Sequence, residues 1–335
     1  MKKFFCCAFL LVSLSLWLLS CGGASAPNTG GGGGGGGTGG GGLGQQVPCN
    51  SPAGTTCYSL AVNGVMRTYA LHVPANFQKN IGALVLVLHG SGGNGLGIES
   101  STGFSTLSDQ DGFAVAYPDG LVEPSEGVPD WAYFFNDFTD DVGFFRQFIP
   151  TLQANVEPDP KRIFVTGFSA GAFMSHRLGV QASDLIAGIG VAEGAISSTA
   201  VQQPVPAALG PVSVVILHGD QDHTVFYCGS QTDASQEDTF NYWTSTSANS
   251  CSTLDTQSAL CDSQGNITTV VEKDATACSG NTEVKFYKLI GGTHAWNTGP
   301  MDVPGNAPYN PDFDSTTGIT TRDIVWNFFS THPKQ

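Results

Sequence analysis

Gly167-Phe168-Ser169-Ala170-Gly171 is the stretch on which the reading of this chain turns. The apolar residues 163–165 lead into it and a helix-like pattern follows, so the serine falls where a strand turns sharply into a helix. Such an elbow lifts its central side chain out of a sheet, and flanking glycines let the backbone take the strained turn with no Cβ in the way. Among 44 glycines the pattern alone is weak, and a glycine-rich turn is the bland alternative. The order of groups downstream, Asp222 and then His294, decides for chemistry. A serine hydroxyl is a poor nucleophile at neutral pH; it needs a base to take its proton, and that base needs an orienting acid. Ser169, His294 and Asp222 are read as the catalytic residues in those roles, in an order that supports the elbow.

His294 lies in the loop Gly291-Gly292-Thr293-His294, where glycines let an imidazole reach toward the elbow. The acid is less sharply defined, because His218-Gly219-Asp220-Gln221-Asp222-His223 places two aspartates after one strand. Asp222 is assigned to the triad and Asp220 to capping the loop or binding backbone amides, a common role of Asp in turns. A metal site built from His218, Asp220, Asp222 and His223 is the competing reading; the histidine spacing fits no zinc pattern, and no metal is expected. His89-Gly90-Ser91-Gly92-Gly93 can turn backbone N–H groups inward, so Ser91 with Ala170 is expected to form the oxyanion hole, where one donor is worth about 3 kcal/mol. Gly90, Gly92 and Gly95 also spell G-x-G-x-x-G after a strand, as in dinucleotide sites, but that reading leaves the elbow, Asp222 and His294 without a use. Trp131 and Trp296 are the candidate substrate-binding platforms, and His176 is expected to be a packed structural residue.

Around these groups the chain alternates. A hairpin is expected over residues 58–62 and 65–73 across Asn63-Gly64, a type I′ signal. Continuous apolar runs at 83–88, 113–117, 163–166, 186–191, 212–217 and 284–290 suit strands buried on both faces. Helical patterns fall at 141–156, 172–180 and 320–330. The fold class is therefore α/β, a mostly parallel central sheet with helices on both faces. In such sheets ligands bind beyond the carboxyl ends of the strands, where His89, Ser169, Asp222 and His294 all fall.

Lys2 and Lys3 before an apolar run over 4–19 make a signal segment, and Leu18-Leu19-Ser20-Cys21 resembles a bacterial lipobox with Cys21 as the lipidated residue. An ordinary secretory signal is the alternative; the run is too short for a membrane span. Residues 22–48, mostly glycine, are expected to be a flexible tether reaching on the order of 30 Å. Residues 49–335 then form one catalytic domain, with a cysteine-containing insertion at about 224–283. The protein is expected outside the cytoplasm, held to the cell envelope by the anchor or secreted, as a monomer. Its acidity, 28 acidic residues against the 11 basic ones left after Lys2 and Lys3, argues against nucleic acid as a partner. Six cysteines remain in the mature chain, Cys49, Cys57, Cys228, Cys251, Cys261 and Cys278, enough for three disulfides. Cys49 and Cys57 bracket a Ser-Pro-Ala-Gly turn and are expected to pair.

These residues resemble the secreted polyhydroxybutyrate depolymerase and feruloyl esterase group, similar to carbohydrate esterase family 1. The likeness runs from Gly64-Val65-Met66-Arg67-Thr68-Tyr69 through His89-Gly90, Tyr117-Pro118-Asp119-Gly120, Asp140-Asp141-Val142-Gly143-Phe144, the elbow and His218-Gly219-Asp220-Gln221-Asp222 to Gly292-Thr293-His294. The resemblance implies an α/β-hydrolase fold, no cofactor, and ester substrates: feruloyl or acetyl esters of plant polysaccharides, or short polyhydroxybutyrate polyesters. A non-catalytic, glycan-binding surface lipoprotein is a weaker alternative. Two departures stand out: extra glycine after His89-Gly90, which bears on the second oxyanion donor, and the enlarged 224–283 segment, a possible lid or rim.

Overall fold

The structure, a computed structural model, describes residues 42–123, 127–135, 137, 139–197, 205–230, 233–254, 259–270, 272–296 and 320–335. The signal segment, Cys21 and the tether up to residue 41 lie outside the described residues.

The strands are β1 (Gln45–Val47), β2 (Thr55–Val62), β3 (Val65–His72), β4 (Leu84–Leu88), β5 (Ala114–Pro118), β6 (Leu121–Val122), β7 (Pro129–Asp130), β8 (Ile163–Phe168), β9 (Gly188–Ala192), β10 (Ser213–Gly219), β11 (Thr253–Leu254), β12 (Glu272–Thr276) and β13 (Val284–Leu289). The helices are α1 (Gly95–Thr102), α2 (Phe104–Asp111), α3 (Asp141–Val156), α4 (Ala170–Gln181), α5 (Gln236–Thr244) and α6 (Thr321–Thr331). One sheet runs β1-β2-β3-β5-β4-β8-β9-β10-β13-β12-β11, parallel from β5 to β13 and antiparallel at both ends. This is the α/β-hydrolase arrangement, a mostly parallel sheet with helices on both faces.

The strands read as unbroken apolar runs because both faces are covered. Alternate residues still part company: Leu84, Leu86 and Leu88 join the core under α3, α4 and α5, whereas Val85 and Val87 join Phe104 of α2 and Phe329 of α6 on the other side. Asn63 and Gly64 both take positive φ, as the type I′ turn requires. Helix starts carry the caps their sequences offer: Asp140 accepts from the Gly143 amide, Ser235 from Asp238, and Thr320 with Asp323 forms a capping box.

The folded domain starts before the expected Cys49. β1 lies within the stretch read as tether, pairs with β2, and Leu43 accepts the Tyr69 hydroxyl. Paired edge backbone and a side chain on the core outweigh the glycine-rich composition there. The 224–283 segment also departs from a lid: α5 places Phe240 and Trp243 in the core, and β12 and β11 extend the sheet beyond β13. Disulfides Cys228–Cys261 and Cys251–Cys278 staple this segment, and Cys49–Cys57 closes the start of the domain. Loop entropy assigns about 2.5 kcal/mol to the short closure and roughly 3.5 kcal/mol to each long one. Disulfides of this kind persist outside the reducing cytoplasm.

Beyond the C-terminal end of α6, His332 Nε2 lies 3.0 Å from Glu283 Oε2. Burial pulls the imidazole down, but the Glu283 carboxylate and the Phe328 carbonyl outweigh it and raise its pKa; the same contact lowers that of Glu283. A raised folded-state histidine pKa stabilises below the unfolded value and loses that contribution as pH rises through the folded one; the lowered glutamate value sets the acid limit. Glu283→Gln is therefore expected to lower Tm at pH about 6 and to leave it nearly unchanged at pH about 9, read by thermal melts.

Candidate active site

Four loops leave the carboxyl ends of β4, β8, β10 and β13 and meet at one edge of the sheet. At the elbow after β8, Ser169 itself carries the strain, at φ 54° and ψ −121°, while Gly167 and Gly171 serve close approach rather than positive φ. A Cβ on Gly167 would lie 2.3 Å from Gly171 O, and one on Gly171 2.3 Å from Leu88 O. Gly171→Ala is thus expected to destabilise by about 3 kcal/mol, lowering Tm on the order of 10 °C, because backbone has to move.

A serine at a helix start ordinarily turns its hydroxyl back onto the first amides. Ser169 makes no such cap on α4. Its Oγ lies instead 2.9 Å from His294 Nε2, and His294 Nδ1 lies 2.7 Å from Asp222 Oδ2. A carboxylate only accepts, so Nδ1 carries the proton and Nε2 presents its lone pair to the serine hydroxyl. Asp222 Oδ1 accepts the Thr224 and Val225 amides at 2.8 and 2.9 Å. Burial alone would raise the Asp222 pKa; the bonds from His294, Val225 and Thr224 and the nearby His218 reverse this and hold it below the ordinary carboxylate range.

The loops bearing the acid and the imidazole are joined. Asp220 Oδ1 accepts the Gly291 amide at 2.6 Å, and the Gln221 amide donates to Gly292 O at 2.8 Å. Asp220 therefore binds backbone and Asp222 meets the imidazole, which separates the two aspartates. His223 is exposed, so the set His218, Asp220, Asp222 and His223 does not converge.

The amide of Ala170, first in α4, has no capping acceptor, and the Ser91 amide has no hydrogen-bond partner among the described residues. The Gly90 backbone passes beside the serine, since a Cβ there would stand 3.2 Å from Ser169 Cβ. Both expected donors thus belong to segments beside Ser169, and the Gly92 amide is already given to Pro129 O. The loop is fixed from behind: His89 Nδ1–H donates to Gly90 O, and His89 Nε2 accepts the Gly120 amide at 2.9 Å. Asp119 holds the Gly95 amide at 2.6 Å. Buried Arg67 meets Asp141 at 2.6 Å, lies over Phe144 and donates to Asp119 O, which ties the Asp119 loop to the start of α3.

Trp131 does not stand as a platform. It is 2% exposed, gives its indole N–H to His89 O and packs on Phe145, so no face is left for a ligand. Trp296 is half-buried and packs one side on Phe104 of α2. Sequence spacing located both near the rim but gave no sign of which way their rings turn. His176 is fully buried and accepts the Trp243 indole N–H at 3.0 Å. The apolar groups beside the elbow are Phe173, Ala195 and Val225, with Tyr133 against them. Glu193, fully buried after β9, belongs to the site and was missed; an acidic residue closing a wholly apolar strand was the available signal.

Comparison with known proteins finds esterases similar to this chain. Residues 67–207 match the family described as Esterase PHB depolymerase. The putative esterase NocK of Nocardia uniformis subsp. tsuyamanensis is 29% identical over 81% of this chain and 80% of its own length. Feruloyl esterase B of Piromyces equi is 27% identical over 70% of this chain, and poly(3-hydroxyalkanoate) depolymerase C of Paucimonas lemoignei 28% over 68%. The chain spans only 44% and 58% of the length of those last two relatives. The elbow and the mostly parallel sheet accompany this likeness, which over residues 67–207 makes the chain similar to the Esterase PHB depolymerase family.

Proposed function

We propose that the protein is an extracytoplasmic serine carboxylic ester hydrolase that works through an acyl-enzyme, with Ser169 as nucleophile, His294 as base and Asp222 as orienting acid. The observation that carries this reading is the unbroken line of hydrogen bonds from Asp222 through His294 to Ser169. As Ser169 Oγ attacks the ester carbonyl carbon, its proton passes to His294 Nε2, and Asp222 stabilises the imidazolium that forms. The carbonyl oxygen, now an oxyanion, takes the amides of Ala170 and Ser91. Collapse expels the alcohol with the proton from His294, and water repeats the sequence to release the acid.

Feruloyl or acetyl esters of plant polysaccharides are the substrate class put first, supported by the likeness to feruloyl esterase B of Piromyces equi. Polyhydroxybutyrate is the second reading, favoured by the family description and by the likeness to the depolymerase of Paucimonas lemoignei. Comparing methyl ferulate, p-nitrophenyl acetate and a hydroxybutyrate oligomer by kcat/KM tests the order; a lead of more than about tenfold, or 1.4 kcal/mol, for the oligomer reverses it. We also assign Cys21 as a lipid anchor, supported by the apolar run and small residues before it. Labelled fatty acid incorporated by the wild type and lost in Cys21→Ala checks this.

A further inference from the structure

Behind the contact between Asp222 and His294 lies a carboxyl group that the triad does not use. Glu193 is 0% exposed and holds a φ of 54°, a left-handed conformation that a glutamate keeps only where its surroundings dictate it. Its Oε2 accepts the Gly219 amide at 2.9 Å, at the start of the Asp222 loop. Its own amide is tied to Leu217 O. Oε1 is as deeply buried and has no hydrogen-bond partner among the described residues. One oxygen of Glu193, one of Asp222 and one nitrogen of His218 lie within 4.8 Å of one another.

The charges in this cluster decide what Glu193 is. His218 Nε2, 3.5 Å from Asp222 Oδ2 and 3.7 Å from Glu193 Oε2, lies 2.8 Å from Val225 O. A carbonyl only accepts, so that nitrogen carries a proton and is closed to a metal ion. Burial first of all lowers the His218 pKa, to about 4, which leaves the ring neutral. His176, next to His218, is likewise kept neutral, since its Nδ1 accepts the Trp243 indole N–H. The groups acting on Glu193 are the Gly219 amide and Asp222, with neither a lysine nor an arginine among them. Two ionised carboxylates buried side by side, with no lysine or arginine among the described residues acting on Glu193, do not coexist; one of them takes a proton. Asp222 is held ionised by His294 and two amides, so the proton belongs to Glu193.

We propose that Glu193 is a positioning residue carried as the neutral acid, which donates its carboxyl proton to the Asp222 carboxylate and so fixes Asp222 against His294. The inference rests on reading Asp222, His294 and Ser169 as the catalytic relay. Burial, with the charge of Asp222 added and the Gly219 amide opposing, pushes the Glu193 carboxyl up to about 9. A neutral acid supplies a donor to the oxyanion of Asp222 without adding a second negative charge that would compete for the imidazole proton.

Infrared spectra of the wild type and of Glu193→Gln in D2O at pH about 7.5 test the protonation directly, because Asp274, pushed up to about 6, is ionised there. The expected result is a protonated-carboxyl C=O band that the wild type shows, that disappears as pH passes about 9, and that Glu193→Gln lacks. Glu193→Ala is expected to lose about tenfold or more in kcat with KM unchanged, and Glu193→Gln, whose amide can donate and accept at the same points, to restore it to within about threefold. No such band in the wild type, or a glutamine variant as impaired as alanine, overturns the proposal. Fluorophosphonate labelling of Ser169 separates the two readings: a labelled serine without the band sinks the Glu193 assignment alone, whereas a band without labelling removes the relay on which its positioning role depends.

Discussion

Ser169→Ala is expected to lower kcat/KM for any ester substrate by about 10⁶-fold, to the residue of catalysis that the oxyanion donors and substrate binding supply alone. Everything else in the relay stays in place, since His294 keeps its bond to Asp222 and the elbow keeps its shape. Alanine has the same Cβ as serine and inherits the same strained backbone at φ 54°, so Tm is expected to shift little. Ser169→Gly, equally inactive, is expected to melt higher, because glycine adopts that conformation without a steric penalty and the strain, on the order of 1 to 2 kcal/mol, is relieved. Steady-state kinetics and thermal melts on the same three proteins check both halves. An alanine variant that retains more than a few per cent of wild-type turnover removes Ser169 from the nucleophile's role.

Asp222→Asn is expected to cost roughly 10⁴-fold in kcat with little loss of fold. Oδ1 of an asparagine can still accept the Thr224 and Val225 amides, so the loop keeps its anchor. The other branch becomes an NH₂ group facing His294 Nδ1. A donor there selects the opposite tautomer, which puts the ring proton on Nε2 against Ser169 and leaves the hydroxyl without a base. The pH dependence of stability moves as well. The folded state holds the Asp222 pKa below its ordinary value, so its contribution is complete above the usual carboxylate range and fades as pH falls through the lowered value. Asp222→Asn removes that acid-sensitive share, and chemical denaturation across pH 3 to 7 reads it. Activity near the wild type in this variant removes Asp222 from the acid's role.

The legible parts of the fold are those where local pattern and final environment agree. Apolar runs such as 84–88 and 163–168 become central strands because a sheet covered on both faces has use for no other composition. Asn63-Gly64 announces its turn through the backbone angles it tolerates. α1, α2 and α5 were not foreseen: Gly95–Thr102 and Phe104–Asp111 are short, and the first is rich in glycine and serine, so their helical state comes from the Asn94 cap and from packing on β4 and β5. β12 lacks an apolar run because it is an outer antiparallel strand, and its residues Glu272–Thr276 read as loop until β13 pairs with them.

Residue order along the chain determined that a serine, an acid and an imidazole each follow a strand, because strand and elbow are written in short-range patterns of apolar side chains and glycine. Which of two aspartates reaches the imidazole, which way the two tryptophan rings turn, and that Glu193 stands behind Asp222 were decided only when β8, β9, β10 and β13 lay side by side. Those relations join residues far apart in sequence, and their energies depend on burial and hydrogen-bond direction, which exist only once the chain has closed around them.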